Sequence, residues 1–353
     1  MKKFAVTVPA SLFFLLVIFL LAPPVVAAEH LHVFIYHRFG DNRYPSTNIS
    51  LENFSKQLRY LHDHGYKVIR AGEAVELLRQ KKSIPDKTVV LTVDDAYTTF
   101  KSGALPLLRQ YGFPVTLFVN TDSVGTADYL DWNDLRQLTK EGIEIGNHTA
   151  THRSMTEQSR GDSEPGYRQR LQADLDRAQK ALSRELGIAP RLFAYPYGEY
   201  SLLTTKIAEE FGFSAAFAQH SGVIGAADPL FSLPRTPLTG RYATLGQMQQ
   251  KLALRPLPVK VITPADTLIG KENPPTLILE ILDPQLDLKS LRLFINGEPG
   301  GSVQRDPQHA RRIIVRGNKA LGTGRSKYIL TAAGREAGTF YGYTQFWLNR
   351  SRP

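Results

Sequence analysis

Thr88-Val89-Val90-Leu91-Thr92-Val93-Asp94-Asp95 decides the fold. Five of its first six residues are β-branched, and no polar residue alternates with the apolar ones in a period of two. Such a run predicts a strand buried on both faces, the kind found in parallel sheets. It then stops at two adjacent carboxylates. Neighbouring negative charges at the end of a buried strand repel each other and lose water, and a cation or a raised pKa would relieve them. The plainer reading is a strand-to-loop Asp pair that caps the next helix.

Working outward, the same alternation repeats. His32 to Tyr36 reads as a strand, and Phe54, Leu58 and Leu61 mark a helix that ends at Gly65. Tyr66 to Ile69, Val115 to Val119, Ile143 to Ile145, Leu192 to Tyr195 and Ser214 to Ala218 are further strand signals. Between them lie helical patterns around Leu77, Leu107, Trp132 to Lys140, residues 171–182 and residues 202–211. Strands alternating with helices imply parallel βαβ units. About seven repeats over residues 29–253 predict an α/β fold, a distorted (β/α) barrel, with functional groups on the rim where the strands end.

Several strand ends carry chemistry. His148-Thr149-Ala150-Thr151-His152 follows one of them, and a helical turn there would put both imidazoles on one face. Two His and one carboxylate, with positions left open, suit a catalytic divalent ion, zinc first, with cobalt, nickel, manganese and iron open. Ala194-Tyr195-Pro196-Tyr197-Gly198 ends another strand in a turn whose backbone N–H can face a developing oxyanion. Asp131 reads as the cap of a helix, and Trp132 as core or pocket wall. His37 closes the first strand, and His220 follows a late one. Arg235 is either near the site or on the surface.

The two ends of the chain differ from the middle. Lys2 and Lys3, the apolar run Phe4 to Leu21, Pro23-Pro24 and Val26-Ala27-Ala28 have the order of a secretory signal over residues 1–28. This predicts export, to the periplasm or outside the cell, with membrane proximity if the segment is not cleaved. Near residue 254 the helical patterns cease. Prolines punctuate an expected linker over 254–273, and residues 274–353 carry strand signals only, with the hairpin turn Asn296-Gly297. A small antiparallel β-sandwich, Ig-like, is expected there. Tyr341, Tyr343, Phe346 and Trp347 offer a sugar-stacking face or, more simply for Phe346, fill the sandwich core.

Composition narrows the classes. The 353 residues carry 42% hydrophobic and 22% charged side chains, as a globular chain does. The absence of Cys excludes a disulfide scaffold, a thiol nucleophile and a Cys-held metal. The formal net charge is +10, of which residues 260–353 supply six and residues 29–259 only two. The barrel region is therefore not a nucleic-acid binder by charge.

Taken together, these strand ends resemble the polysaccharide deacetylases (carbohydrate esterase family 4, the NodB-homology domain) over roughly residues 30–245. Thr92-Val93-Asp94-Asp95-Ala96 is similar to the family's Thr-Phe-Asp-Asp-Gly motif. His148 to His152 matches its His-(Ser/Thr)-x-x-His motif in full. Ala194 to Gly198 matches its Arg-x-Pro-Tyr-Gly motif in part, and Asp131-Trp132 resembles its aspartate–tryptophan motif. Tyr36-His37, followed by Asn53-Phe54 through His64-Gly65-Tyr66, resembles the branch containing the poly-β-1,6-N-acetylglucosamine deacetylases. Two positions depart. Ala96 replaces a Gly, a mild change if φ is negative there. Ala194 stands where many members have the Arg that orients the base Asp, and Arg235 is the candidate substitute from a later strand end.

The resemblance implies metal-assisted hydrolysis of N-acetyl groups on an acetylated polysaccharide. Asp95, His148 and His152 would hold the ion, Asp94 would act as base, and His37 would be the general acid. The Tyr197 N–H would face the oxyanion, and Tyr195, Pro196 and Trp132 would line the substrate site. The same constellation serves an O-acetyl esterase, and a non-catalytic carbohydrate-binding protein is the alternative from another class. The C-terminal domain is expected to handle polymer without entering the chemistry.

Overall fold

In the computed structural model every residue of the strand Thr88–Asp94 is buried. The structure describes residues 27–28, 30–158, 161–226, 228–334 and 338–350. The expected signal segment therefore lies outside the described residues, apart from Ala27 and Ala28.

Strands β1 (His30–Tyr36), β2 (Lys67–Ile69), β3 (Thr88–Asp94), β4 (Thr116–Val119), β5 (Glu144–Asn147), β6 (Leu192–Ala194) and β7 (Ala215–Phe217) alternate with helices. The helices are α1 (Leu51–Asp63), α2 (Ala71–Arg79), α3 (Leu105–Tyr111), α4 (Trp132–Lys140), α5 (Glu164–Leu186) and α6 (Leu202–Glu210). The strands pair in parallel in the order β7-β6-β5-β4-β3-β1. β2 shares one edge of β3 with β4, taking the first half while β4 takes the second. On the far edge, β1 pairs with β8 (Ile224–Gly225), antiparallel, and with β9 (Thr236–Pro237), parallel. A bridge from Phe217 to Leu233 joins β7 to the same segment. Residues 233–237 thus span the gap between β7 and β1, and the sheet is curled in the manner expected of a (β/α) barrel.

Strand parity sorts the side chains. Val89, Leu91 and Val93 join the outer core with Leu58 of α1, Leu105 of α3 and Leu135 of α4. Val90 joins an inner core with Val33, Phe118, Ala194 and Phe217, which α2 plugs with Ala71, Ala74 and Val75. Thr92 and Asp94 share the parity of Val90, so the first Asp of the pair turns inward. Each helix burying such a stripe gains roughly 25 cal/mol per Å² of apolar surface removed from water. α5 begins at Ser163, whose side chain accepts from the Gly166 N–H, and ends at Gly187, at φ 69.

After α7 (Leu245–Leu252) the chain builds two sheets. Their strands are β10 (Leu254–Pro256), β11 (Val259–Thr263), β12 (Thr276–Ile281), β13 (Arg292–Ile295), β14 (Glu298–Pro299), β15 (Ser302–Arg305), β16 (Arg312–Arg316), β17 (Gly324–Ala333) and β18 (Phe340–Asn349). One sheet runs β10-β18-β17-β13-β14, the other β11-β12-β16-β15. They share a core that includes Leu277, Leu279, Val315, Tyr328, Leu330 and Trp347. The linker expected over 254–273 is corrected here. Leu254–Pro256 pairs with β18, and Val259–Thr263 pairs with β12, because the prolines fall at strand ends and leave the ladder bonds intact.

β18 explains the aromatic run near the C-terminus. Thr344 to Leu348 are five consecutive buried residues. Trp347 faces the module core, 5.5 Å from the Tyr328 ring. Phe346, on the opposite face, meets the barrel, with Tyr200 at 6.0 Å and His220 at 6.5 Å. A sugar-stacking role for these two rings is thereby excluded, since both faces of the strand are covered.

Candidate active site

The Asp pair divides at the end of β3. Asp94 is the last residue of the strand and points into the barrel. There Arg235, fully buried in the 233–237 segment, grips it: Nη1 donates to Oδ1 at 2.6 Å and Nη2 to Oδ2 at 2.8 Å. Nε of Arg235 donates to the Ala218 carbonyl at 2.9 Å, which fixes the plane of the guanidinium. Its Cζ lies 5.2 Å from the centroid of Phe118. Burial pushes the Asp94 carboxyl up. The charge of Arg235 and its two hydrogen bonds oppose this, so the net shift is downward and Asp94 is ionised.

Asp95 is one residue past the strand, at φ 73, followed by Ala96 at φ 58. The left-handed turn swings Asp95 away from its neighbour and over the strand ends. Ala96 is thus not the mild replacement of a Gly that a negative φ would make it. It carries a Cβ in the region that glycine prefers, at a cost of order 1 kcal/mol.

The His pair is corrected in its backbone. Residues 148–152 are a loop rather than a helical turn, with Thr149 at φ 64 and His152 at φ 57. The loop is held by its own side chains. Asn147 Oδ1 accepts from the Thr149 N–H at 2.8 Å, and Thr149 Oγ1 accepts from the His152 N–H at 2.9 Å. The rings still converge, with centroids 4.8 Å apart. Asp95 Oδ1 lies 3.5 Å from Nε2 of His148 and 3.2 Å from Nε2 of His152.

These three residues fit a divalent ion. Asp95 Oδ1 is buried and, among the described residues, has no hydrogen-bond partner. His148 Nδ1 is 2.7 Å from the Ala194 carbonyl, so Nδ1 carries the proton and Nε2 presents its lone pair toward Asp95. Burial lowers the His148 pKa to about 4 against the raising pull of Asp94 and Asp95, so the ring is neutral. Two imidazole nitrogens and one orphaned carboxylate oxygen, with all three ligand atoms within 4.8 Å of one another, make a three-donor site. Among the described residues it is the only such group.

The remaining candidates fall on both sides of this centre. His37 continues β1 one step past the Tyr36–Val93 pairing, level with Asp94, and its buried Nδ1 has no hydrogen-bond partner among the described residues. Tyr197 sits in the tight turn Pro196–Gly198 at φ 59, half exposed, with its ring 4.7 Å from His152. Gly198 is required beside it: at φ 67, an added Cβ would lie 2.1 Å from the Gln219 backbone nitrogen. Tyr195 and Pro196, expected to line the substrate site, lie just past β6. Both are buried, and the Tyr195 hydroxyl donates to the Phe231 carbonyl at 2.9 Å. Trp132 packs on the outer core and lines a surface groove of 510 Å³ with Thr121, Asp122 and Arg177. His220 is buried in the seam with the C-terminal module.

Some side chains that build the site had no clear sequence signal. Asp174 of α5 accepts from both the N–H and the hydroxyl of Thr151, inside the His loop. Arg38 lies 3.5 Å from the Tyr97 ring centroid and 3.8 Å from that of Tyr44, and it pairs with Asp41. Tyr97 is two residues past Asp95, and its hydroxyl is pushed up by burial and then by Asp95. The only hint was an aromatic residue so close to the Asp pair.

A curled parallel sheet with an Asp–His–His set at its strand ends places a candidate divalent-metal centre on the rim of a (β/α)-type barrel. Residues 81–216 match the family model for polysaccharide deacetylase. It is 26% identical over 205 residues to the Bacillus subtilis protein YxkH, covering 58% of this chain and 70% of that one. It is 24% identical over 248 residues to the poly-β-1,6-N-acetyl-D-glucosamine N-deacetylase of Escherichia coli K12. That match covers 60% of this chain but only 36% of the relative, so the chain spans about a third of that protein. The solved structure of IcaB from Ammonifex degensii superposes with a TM-score of 0.55 at 26% identity, covering 64% of this chain and 98% of that one.

Proposed function

We propose that this chain is an exported, metal-dependent polysaccharide deacetylase that removes N-acetyl groups from an acetylglucosamine-containing polymer. The carrying observation is the orphaned, buried Asp95 Oδ1 facing two imidazole Nε2 atoms beside an Asp94 already paired with Arg235. Asp95, His148 and His152 would hold a divalent ion, most simply zinc, which when bound would supply Lewis-acid polarisation of the acetyl carbonyl. Asp94 accepts the proton of the attacking water. The Arg235 fork keeps it ionised and, by using one lone pair of each oxygen, leaves others to accept that proton. The turn at Tyr197 supports a backbone N–H donor to the carbonyl oxygen as charge grows there. His37, level with Asp94 across the strand pair, donates a proton to the departing sugar nitrogen, so the products are acetate and a free amine. The name of the Escherichia coli relative, an N-deacetylase of poly-β-1,6-N-acetyl-D-glucosamine, supports the polymer class and amide cleavage. The signal-like residues 1–28 support export. We read residues 29–253 as the catalytic domain and the two-sheet module after it as Ig-like.

The test is acetate release from de-esterified poly-β-1,6-N-acetylglucosamine, chitin oligomers and peptidoglycan, with and without a chelator. Chelator-sensitive release from the first is expected. Release only from O-acetylated glycans would replace this reading with an esterase.

A further inference from the structure

The C-terminal module reaches back to the site. Arg350, one residue past β18, donates through Nη2 to Ser154 Oγ at 3.0 Å, to Thr156 Oγ1, and to Glu199 Oε2 at 3.2 Å. Glu199 also accepts from Ser154 Oγ at 2.5 Å and from Thr156 Oγ1 at 3.3 Å. Its other oxygen faces Nε of Arg325, on β17, at 3.7 Å. Arg325 Nη1 in turn donates to the Tyr197 carbonyl at 3.2 Å. The Glu199 side chain is only 14% exposed, whereas the arginines that meet it, Arg350 at 36% and Arg325 at 50%, are partly in solvent.

The contacted segments are those that follow the site residues. Ser154 and Thr156 come two and four residues after His152, and Glu199 comes two after Tyr197. On the barrel side the His loop is tied at Thr151 by Asp174. Without the module, the stretch after His152 would keep Glu199 but lose the cation that neutralises it. His152 sits in a left-handed conformation and is the most exposed of the three candidate ligands, so its position depends on what brackets it.

We propose that the C-terminal module is a positioning element of the metal half of the site, acting through Arg350 and Arg325 on Glu199. This deepens the deacetylase reading and rests on its Asp95–His148–His152 centre. Neither arginine touches reacting atoms. They hold the loops that carry His152 and Tyr197, in place of the separate, purely polymer-handling role expected of the module. All three Arg350 contacts come from one nitrogen, a geometry that a lysine ammonium can reproduce.

The experiment uses the full chain with Arg350→Ala, Arg350→Lys and Ser154→Ala/Thr156→Val. Zinc affinity is read by competition with a chromogenic chelator, kcat and KM by acetate release from a short β-1,6-linked oligomer, and folding by circular dichroism. Arg350→Ala should fold, bind zinc about tenfold or more weakly, and lose kcat with KM little changed, as for other groups that orient metal ligands. Arg350→Lys should recover most of the affinity. If Arg350→Ala does not fold, the Ser154→Ala/Thr156→Val chain should show the same loss. Zinc affinity in the alanine chain equal to wild type, or a lysine chain as defective as the alanine one, overturns the proposal. If the unaltered chain binds zinc but releases no acetate from any substrate, the deacetylase reading fails, and the affinities alone decide the positioning role.

Discussion

Asp94 and Asp95 are the same residue type, adjacent in sequence, and they lead opposite lives. Asp94 sits on a strand, points inward by parity, and has both oxygens paired to Arg235. Asp95 sits on a left-handed turn, and its buried Oδ1 has no hydrogen-bond partner among the described residues. The strand-held half is finished without a ligand, and the loop-held half is not. A buried acceptor left bare costs about 1–3 kcal/mol, more when charged, so the second half stores a deficit that a cation removes. The difference separates a group that must stay free to take a proton from one that must give its lone pair away.

The comparison breaks most visibly if the loop half is emptied. His148→Ala removes a neutral donor whose tautomer is set by the Ala194 carbonyl. The variant should lose stoichiometric zinc by elemental analysis, and acetate release should fall to background. Full metal content with full activity would show that the convergence of Asp95 and the two imidazoles is structural only.

Asp94→Asn tests the strand half by a smaller step. The amide keeps shape and removes the base, so kcat should fall by about 10²–10⁴ while zinc content stays at wild-type level. If the variant loses zinc instead, the two carboxylates share one task and the division is wrong.

Arg235→Met asks what the pairing is worth. It leaves a buried, unpaired carboxylate, and breaking a buried pair by one partner costs on the order of 3–5 kcal/mol. Urea denaturation should show that loss, and adding Asp94→Leu to the same chain should restore much of it. A single variant as stable as wild type would mean that water enters and solvates Asp94.

The two halves were unequally legible in the sequence. The β-branched run Thr88 to Val93 announces a strand, and a strand has a fixed period, so the end of β3 and the inward turn of Asp94 follow from counting. Arg235 was visible only as a substitute for the missing Arg at Ala194. Its reach depends on residues 233–237 spanning from β7 to β1, which local pattern does not encode. The His spacing suggested that the two rings converge, but through a helical turn; two left-handed residues, Thr149 and His152, bring them together instead. Ala96 misled similarly, since φ is set by where Asp95 must go and not by alanine's own preference. The burial of Tyr195 was not legible, because being next to a turn says nothing about which face is covered. Prolines at 256 and 258 suggested a linker, yet they only punctuate the ends of β10 and β11. The docking of Arg350 pairs residues about 150 to 196 positions apart and leaves no periodic trace.

The histidines His37 and His220 give the finest version of the same contrast, one beside Asp94 and one in the seam under Phe346. Burial, with a lesser push from the charge of Lys327, lowers the His220 pKa to about 3, so it is neutral in the folded protein at every pH where activity is measured. Unfolded, it would titrate near 6.5. Between about pH 6.5 and 3 the unfolded chain therefore binds the extra proton, and this residue's contribution makes stability fall as pH falls through that window. The slope from one such proton is at most about 1.4 kcal/mol per pH unit. His220→Gln should flatten the acid limb of stability by up to that amount, read from urea midpoints between pH 6.5 and 4.5. His32, also lowered to about 3 by burial, leaves a residual slope. The pH–rate profile of acetate release should not change in the His220 variant, whereas His37→Ala should lose the alkaline limb set by a general acid. Loss of that limb on changing His220 alone would move the acid to the seam and reverse the assignment of the two strand ends.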